Sequence, residues 1–152
     1  MNDQKNLIDG LNTSQILVGL DLGTKTIGVA VSDRSKTIAT PLSTIQRKGT
    51  NKDLFIMKNI LNEYEIGGFI IGLPISLDNN ENKQSQLVRD FNINLQNFFK
   101  KSSVLWDERF SSDVIFKELR KANLSKTKIK SKLDQQSAAY ILQGYLDRYR
   151  NN

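Results

Sequence analysis

The stretch Val18–Asp33 constrains the fold of this chain more than any other part of the sequence. It predicts two β-strands joined by a tight turn at Gly23–Lys25, because both halves are rich in Val, Ile and Leu and glycine accepts the backbone angles of a turn. Side chains alternate between the two faces of a strand, so one face of this hairpin carries large aliphatic residues. The opposite face carries small or polar residues, which are Gly19, Asp21, Gly28, Ala30 and Ser32.

Asp21 has two interpretations from this local pattern. Either its carboxylate accepts backbone N–H bonds within the turn, or it holds a divalent cation against a phosphate. The hairpin resembles those of the sugar kinase, actin and chaperone ATPase group and those of the ribonuclease H-like nucleases and resolvases. The first group closes two such domains on a nucleotide, whereas 152 residues suit one domain. The length therefore favours a nuclease-like core.

The composition restricts the chemistry that the chain can perform. The sequence has no Cys and no His, which excludes disulfides, zinc–thiolate sites and histidine acid–base catalysis. Catalysis would depend on carboxylates, Lys, Tyr or a metal-bound water. No apolar run approaches the ~20 residues of a membrane helix, and residues 1–15 are polar, so we expect a cytoplasmic protein with no membrane partner. The formal net charge of +6 favours a polyanionic partner.

The order of the predicted elements indicates an α/β fold. We expect a flexible N-terminal arm over residues 1–15 and a single domain over residues 16–149. The predicted strands are Ile16–Leu22, Thr26–Asp33, Thr37–Gln46, Gly68–Pro74 and Ser103–Glu108. The predicted helices are Lys52–Tyr64, Lys83–Phe99, Ser111–Asn123 and Ser131–Tyr149, with a basic linker at Leu124–Lys130. This order predicts a mixed five-stranded sheet flanked by helices, as in a ribonuclease H-like domain, with Pro41 at an edge or a break.

A second acidic position follows the last predicted strand. Asp107 and Glu108 lie at the carboxyl end of that strand, and open α/β sheets bind ligands beyond the carboxyl ends of their parallel strands. The alternative is an ordinary strand-to-helix loop in which Glu108 pairs with Arg109 or another surface cation.

A third acid lies near the start of the last predicted helix. Asp134 is followed at helical spacing by Ala138, Ile141 and Tyr145, so it shares the face that would pack on the sheet. The alternative is a capping box formed by Ser131 and Asp134 in the first turn of that helix. The sequence leaves both interpretations open.

Three such acids could meet at one site. Unpaired carboxylates within ~4–6 Å of each other repel and raise their own pKa values. Mg²⁺ or Mn²⁺ would remove this repulsion, because both ions prefer hard oxygen ligands. One or two ions could then activate water and stabilise the leaving oxygen of a phosphodiester, which supplies hydrolysis without histidine.

A basic tract between Lys117 and Lys132 leads into Asp134. It contains Lys117, Arg120, Lys121, Lys126, Lys128, Lys130 and Lys132 against one acid, Glu118. Such a run is either a solvated surface or a strip that guides a nucleic-acid backbone toward the acids.

Four motifs together resemble the YqgF/RuvX family, and they occur in that family's order. They are the segments Gly19–Asp33, Ile71–Pro74, Asp107–Ser112 and Lys132–Ala139. The similarity extends from Ile16 to Asp147, which is nearly the whole chain. The segment that follows Pro74 departs from the family pattern, since it lacks the usual glycine-containing turn, so substrate contacts by residues 75–83 are not carried over.

The resemblance implies a ribonuclease H-like fold and a nuclease assigned to 5′-end processing of pre-16S ribosomal RNA. By motif match, the catalytic and metal-binding positions are Asp21, Glu108 and Asp134, with Asp107 as the substitute for Glu108. Lys25 and Arg109 would contact phosphates, and Lys126, Lys128, Lys130 and Lys132 of the basic tract would add to that surface.

Three hypotheses for function follow. The first is a metal-dependent nuclease that acts on structured RNA. The second uses the same chemistry on four-way DNA junctions, for which the symmetric cutting of two strands suggests a homodimer rather than a monomer. The third is an RNA-binding assembly factor that keeps the fold without catalysis.

Overall fold

The computed structural model describes residues 6–74, 83–107 and 126–149, the last range with side chains from Gln136 onward. Within these ranges the strands are β1 (Ile16–Leu22), β2 (Thr26–Ser32), β3 (Ala39–Gln46), β4 (Ile66–Leu73) and β5 (Ser103–Asp107). The α-helices are α1 (Thr50–Ile60), α2 (Lys83–Phe99) and α3 (Lys126–Tyr149). None of these helices is long and apolar enough to cross a membrane.

The strands form a mixed five-stranded sheet in the order β3-β2-β1-β4-β5. The hairpin pairings β1–β2 and β2–β3 are antiparallel, whereas β1–β4 and β4–β5 are parallel. This arrangement confirms the predicted sheet. Pro41 lies on the edge strand β3 opposite Ala30, next to an irregularity in the pairing, where a residue without an N–H is tolerated.

Two hydrophobic cores cover the two faces of the sheet. The core on one side packs α1 and α2 against the large aliphatic face, which includes Ile16, Val18, Leu20, Ile27 and Val29. The core on the other side packs α3 against Leu17, Ala30, Ile70 and Val104. The hairpin alternation predicted from the sequence is therefore confirmed, and the face with small residues is the one that receives α3.

The predicted bounds of β1 and α2 are confirmed, whereas the predicted start of α3 at Ser131 is wrong. The helix begins at Lys126, so most of the predicted linker Leu124–Lys130 is helical. The basic side chains of this segment are long and unbranched, and such residues have good helix propensity, which a charge-based assignment overlooks. The predicted helix Ser111–Asn123 lies outside the described residues.

The N-terminal segment contacts the domain from residue 6 onward. The backbone N–H of Leu7 donates a hydrogen bond of 2.8 Å to the hydroxyl of Tyr145 on α3. The side chains of Leu7 and Leu11 pack in the second core and cover Gly68 and Gly67 at the start of β4. The flexibility of the arm predicted over residues 1–15 stays a prediction, and residues 1–5 of it lie outside the described residues.

All three helices run antiparallel to β1. Helix α1 follows the end of β3, which pairs with Thr26 beside the hairpin turn. Helix α2 begins next to the end of β1, because Gln84 donates a hydrogen bond to the carbonyl of Leu22. Helix α3 runs from the level of Gly19 toward Leu7, which precedes β1. We call the edge of the sheet where β1, β4 and β5 end the C-terminal edge. Helices α1 and α2 start at this edge, and the first half of α3 lies toward it.

Candidate active site

Asp21 lies at the C-terminal edge of the sheet. It is the penultimate residue of β1, is half-buried and pairs across the hairpin with Gly28. Gly28 in turn pairs with Thr44 of β3, so these residues form one row across three strands. The row beside Asp21 carries no side chain at Gly28, so the position next to the carboxylate is small.

Thr44 adds a polar atom to this row. Side-chain alternation places Thr44 on the α3 face, because its neighbour Ile45 belongs to the core under α1 and α2. The Thr44 hydroxyl is buried and has no hydrogen-bond partner among the residues that the structure describes. A buried hydroxyl without a partner costs free energy, so Thr44 adds a polar atom with unused hydrogen-bonding capacity among the described residues to the row that contains Asp21.

Asp107 is the last residue of β5 and lies at the C-terminal edge, but it belongs to the face of the sheet that packs against α2. Val104 and Trp106 pack against α3, whereas Ser103 accepts a hydrogen bond from Gln96 of α2. Alternation therefore assigns Asp107 to the α2 face, opposite to Asp21. Glu108 lies outside the described residues, as does Arg109.

The backbone of α3 brings position 134 toward Asp21. A Cβ atom on Gly19 would lie 2.7 Å from the carbonyl oxygen of Ala138, so α3 crosses β1 at Gly19. From Ala138 back to position 134 the helix advances about 6 Å, and from Gly19 to Asp21 the strand advances about 7 Å in the same direction. The two backbone positions are thus carried to the same end of the sheet. The side chain of Asp134 itself lies outside the described residues.

The start of α3 also decides between the two interpretations of Asp134. Because the helix begins at Lys126, Ser131 and Asp134 lie within it, beyond the first turn. An N-terminal capping box uses the residue before the helix and the third residue within it. The capping interpretation of Asp134 is therefore wrong. The predicted packing face is confirmed, since Ala138, Ile141 and Tyr145 are all buried.

Two side chains hold the loop that follows Asp21. Gln84 Nε2 donates to the Leu22 carbonyl at 3.0 Å, and Arg47 Nη1 donates to the Gly23 carbonyl at 3.3 Å. The turn is closed by the Gly23 N–H, which donates to the Thr26 carbonyl at 2.8 Å. The backbone on the C-terminal side of Asp21 is therefore fixed from β3 and from α2.

Arg47 is in turn held by a buried acid on α1. Its Nε lies 3.0 Å from Oδ2 of Asp53, which is fully buried, and Oδ1 of Asp53 accepts the Lys48 N–H at 2.8 Å. The Arg47 guanidinium also lies over the Phe91 ring at 5.7 Å. Sequence reasoning missed this support, because an acid in the first turn of a helix ordinarily indicates only a dipole interaction.

Lys25 is exposed at the tip of the hairpin turn, next to the C-terminal edge. Lys126, Lys128, Lys130 and Lys132 lie on the first turns of α3, with side chains outside the described set. Among the side chains that the structure describes, no three acids or histidines gather closely enough to hold a metal ion. Two of the three predicted metal ligands, Glu108 and Asp134, fall outside that set.

The strand order, the parallel extension from β1 and the acid at the end of β1 define a ribonuclease H-like domain. Its fold matches the solved structure "T. thermophilus RuvC in complex with Holliday junction substrate" with a TM-score of 0.50 at 8% identity, covering 88% of this chain and 95% of that one. At this identity the likeness concerns the fold.

A family model described as "RuvX: Holliday junction resolvase" matches residues 15–148, and the chain belongs to this family. A relative from Paramagnetospirillum magneticum is 40% identical over 141 residues, which cover 93% of this chain and 91% of that protein. Another, from Ruegeria pomeroyi, is 44% identical over 135 residues, covering 89% and 88%. Both are named "Putative pre-16S rRNA nuclease". The chain is thus a member of a nuclease family, whose chemistry is the hydrolysis of phosphodiester bonds.

Proposed function

We propose that this protein is a metal-dependent nuclease that processes the 5′ end of pre-16S ribosomal RNA in the cytoplasm. The substrate is suggested by the names of the relatives, which cover nearly the whole chain at 40% and 44% identity. The observation that carries the proposal is the convergence of Asp21 and the α3 backbone at the C-terminal edge, above a row that has no side chain at Gly28.

Asp21, Glu108 and Asp134 would form the catalytic centre. Asp21 lies on the α3 face of the sheet, and the crossing of α3 at Gly19 directs position 134 toward it. Asp107 is the weaker candidate for the third ligand, because alternation along β5 assigns it to the α2 face. This argument supports Glu108, the assignment that the family motif implies.

The donor set fits Mg²⁺ or Mn²⁺. All three proposed ligands are carboxylates, the hard oxygen donors that these ions prefer, and no side chain projects beside Asp21 at Gly28. When bound, one or two such ions would activate water and neutralise charge that develops on the leaving oxygen. The carboxylates would hold the ions, and the anchored turn at Leu22 and Gly23 would keep Asp21 oriented toward them.

The phosphate backbone would be bound by cations at the same edge. Lys25 is exposed at the hairpin tip, and the basic segment Lys126–Lys132 lies on the first turns of α3. The starts of α1 and α2 face this edge, so their positive dipole ends favour an anion there. Arg109 would add a contact next to Glu108.

The test is cleavage of a transcript that contains the 5′ leader of pre-16S ribosomal RNA, with Mg²⁺ or Mn²⁺ and with EDTA. We expect cleavage by the wild type, no detectable product with Asp21→Asn or Asp134→Asn, and unchanged cleavage with Asp90→Asn. Asp90 is exposed on α2 and serves as the matched control. Equal product from the wild type and both site variants would reject the proposal.

The family description supports a second candidate, the resolution of four-way DNA junctions. The same preparations should be assayed on a synthetic junction and on a linear duplex of equal length. Symmetric nicking of the junction, with a homodimer in sedimentation, would favour DNA as the substrate over RNA. Salt-sensitive RNA binding with no metal-dependent cleavage of either substrate would instead identify an assembly factor.

A further inference from the structure

The exposed charges differ between the two ends of the sheet. At the C-terminal edge the exposed charges among the described residues are all lysines, namely Lys25, Lys48, Lys52 and Lys83. Resting on the proposed nuclease function, we infer that these lysines form a basic rim that binds the phosphate backbone of the nucleic acid on the α1–α2 side of Asp21. This rim is separate from the basic tract that leads into α3.

Backbone contacts bring the four lysines together from three segments of the chain. The Arg47 N–H donates to the Lys25 carbonyl at 2.9 Å, so the residue before Lys48 is bonded to the hairpin tip. Asp53 accepts the Lys48 N–H at 2.8 Å, which folds the start of α1, including Lys52, back onto the end of β3.

Lys83 joins the rim from α2. Its neighbour Gln84 donates to the Leu22 carbonyl at 3.0 Å, immediately before the hairpin turn. The first residue of α2 therefore lies beside the end of β1, and the rim surrounds the turn that follows Asp21. No part of this arrangement depends on the segments outside the described residues.

The acids of the described residues near the rim offset its charge only in part, since the half-buried Asp107 at the end of β5 is one carboxylate against four exposed lysines. Asp53 is fully buried and paired with Arg47 at 3.0 Å, so this pair is neutral. Asp21 is only half-buried, but it is the proposed ligand of a divalent cation. The rim lysines therefore keep a local excess of positive charge, which attracts a polyanion over about 10 Å at moderate ionic strength.

The opposite end of the sheet carries exposed charges of both signs, and its exposed cations are Arg34, Lys58, Lys100, Lys101 and Arg148. Its exposed acids are Asp9, Asp33, Glu63, Glu65 and Asp147. They lie near the start of β1 and the end of α3, as shown by the Ile16 N–H, which donates to the Glu65 carbonyl at 2.9 Å. Because the opposite charges offset one another at that end, the excess of positive charge lies at the rim, so the bound strand is expected to cross the C-terminal edge rather than follow either flat side of the domain.

The inference is tested by the salt dependence of binding. The wild type is titrated into fluorescently labelled structured RNA in EDTA, so that binding is measured without cleavage, at several KCl concentrations. The rim variant Lys48→Gln/Lys52→Gln avoids Asp21 and Lys25. The control Lys58→Gln/Lys101→Gln removes the same charge from exposed positions toward the opposite end.

We expect the rim variant to bind the labelled RNA about tenfold more weakly than the wild type. Because two phosphate contacts are lost, the slope of log Kd against log salt concentration should fall by about 1.4 if the contacted RNA is single-stranded and by about 1.8 if it is paired. The control variant should stay within about twofold of the wild type, since distant exposed charges are screened. The four substituted lysines, Lys48, Lys52, Lys58 and Lys101, are exposed, so both variants should fold.

Equal losses in both variants, or no loss in the rim variant, would overturn the inference. The two proposals fail separately. If the wild type cleaves precursor RNA and the rim variant binds RNA as tightly as the wild type does, the nuclease function is supported and the basic rim is rejected. If the rim variant binds RNA more weakly but the wild type does not cleave RNA with Mg²⁺ or Mn²⁺, the basic rim is supported and the nuclease function is rejected.

Discussion

Gly19 and Ala138 bring β1 and α3 into backbone contact. A Cβ atom on Gly19 would lie 2.7 Å from the carbonyl oxygen of Ala138 and 2.7 Å from the Cβ of Leu142. Real Cβ atoms do not approach other heavy atoms this closely, so only glycine permits the helix to rest here. This contact sets the height of α3 above the strand that ends in Asp21.

Gly19→Ala should therefore displace α3 and reduce nuclease activity. Because the methyl group meets backbone and a Cβ rather than a flexible side chain, we expect a loss of about 1–3 kcal/mol in the free energy of unfolding. Cleavage should fall at least tenfold even at temperatures where the variant is folded, since position 134 moves with α3. Urea denaturation and the cleavage assay measure the two effects.

Gly10→Ala is the matched control for this substitution, because no atom lies within 4 Å of a Cβ at Gly10. It should leave stability and cleavage unchanged. A Gly19→Ala protein with wild-type stability would contradict the close contact.

Asp53→Ala should strongly destabilise the protein. The substitution leaves the Nε of Arg47 and the N–H of Lys48 without their acceptor in a partly buried environment. We expect a loss of about 3 kcal/mol in the free energy of unfolding, because each of the two donors that loses its acceptor costs about 1–3 kcal/mol. Chemical denaturation is the measurement. Asp90→Ala, at an exposed position bonded to Gln86, should cost less than about 0.5 kcal/mol.

Tyr145 should make stability fall at alkaline pH. Burial raises the pKa of Tyr145 to about 12 from the usual 10.0. Between these two values the folded protein keeps the phenol proton while the unfolded chain releases it, so unfolding becomes more favourable as pH rises. The contribution is fully present below pH 10 and decreases by up to about 1.4 kcal/mol per pH unit above it.

Tyr145→Phe provides the measurement for this effect. It removes the hydroxyl that accepts the Leu7 N–H, so at pH 8 the variant should be about 1 kcal/mol less stable than the wild type. This difference should shrink as pH rises from 10 to 12, because only the wild type has the phenol at this position. A Tyr145→Phe protein that retains the alkaline slope of the wild type would contradict the assignment.

Binding of Mn²⁺ should stabilise the folded protein through Asp21. A ligand that binds only the native state at a concentration 100 times its Kd adds about 2.7 kcal/mol to the free energy of unfolding. We expect the thermal midpoint of the wild type to rise with millimolar Mn²⁺, and the rise to be absent in Asp21→Asn. Asp90→Asn should respond as the wild type does. An equal rise in all three proteins would place the ion elsewhere.

The supporting contacts around the site show what sequence reasoning could not reach. Arg47 and Asp53 are six positions apart, and their pairing depends on how the end of β3 meets the start of α1. Gln84 reaches Leu22 across 62 positions of sequence. Neither contact has a local pattern, because each is produced by the packing of separate elements.

Local sequence patterns were sufficient to predict several elements of the fold. Side-chain alternation predicted the β1–β2 hairpin and placed Asp21 on its small face, and helical periodicity predicted α2 over the residues that it occupies. The start of α3 at Lys126, which removed the capping interpretation of Asp134, and the position of Gly19 beneath Ala138 emerged from the three-dimensional packing. Periodicity reports which face of an element is apolar, whereas the crossing point and the start of a packed helix depend on the surface that receives it.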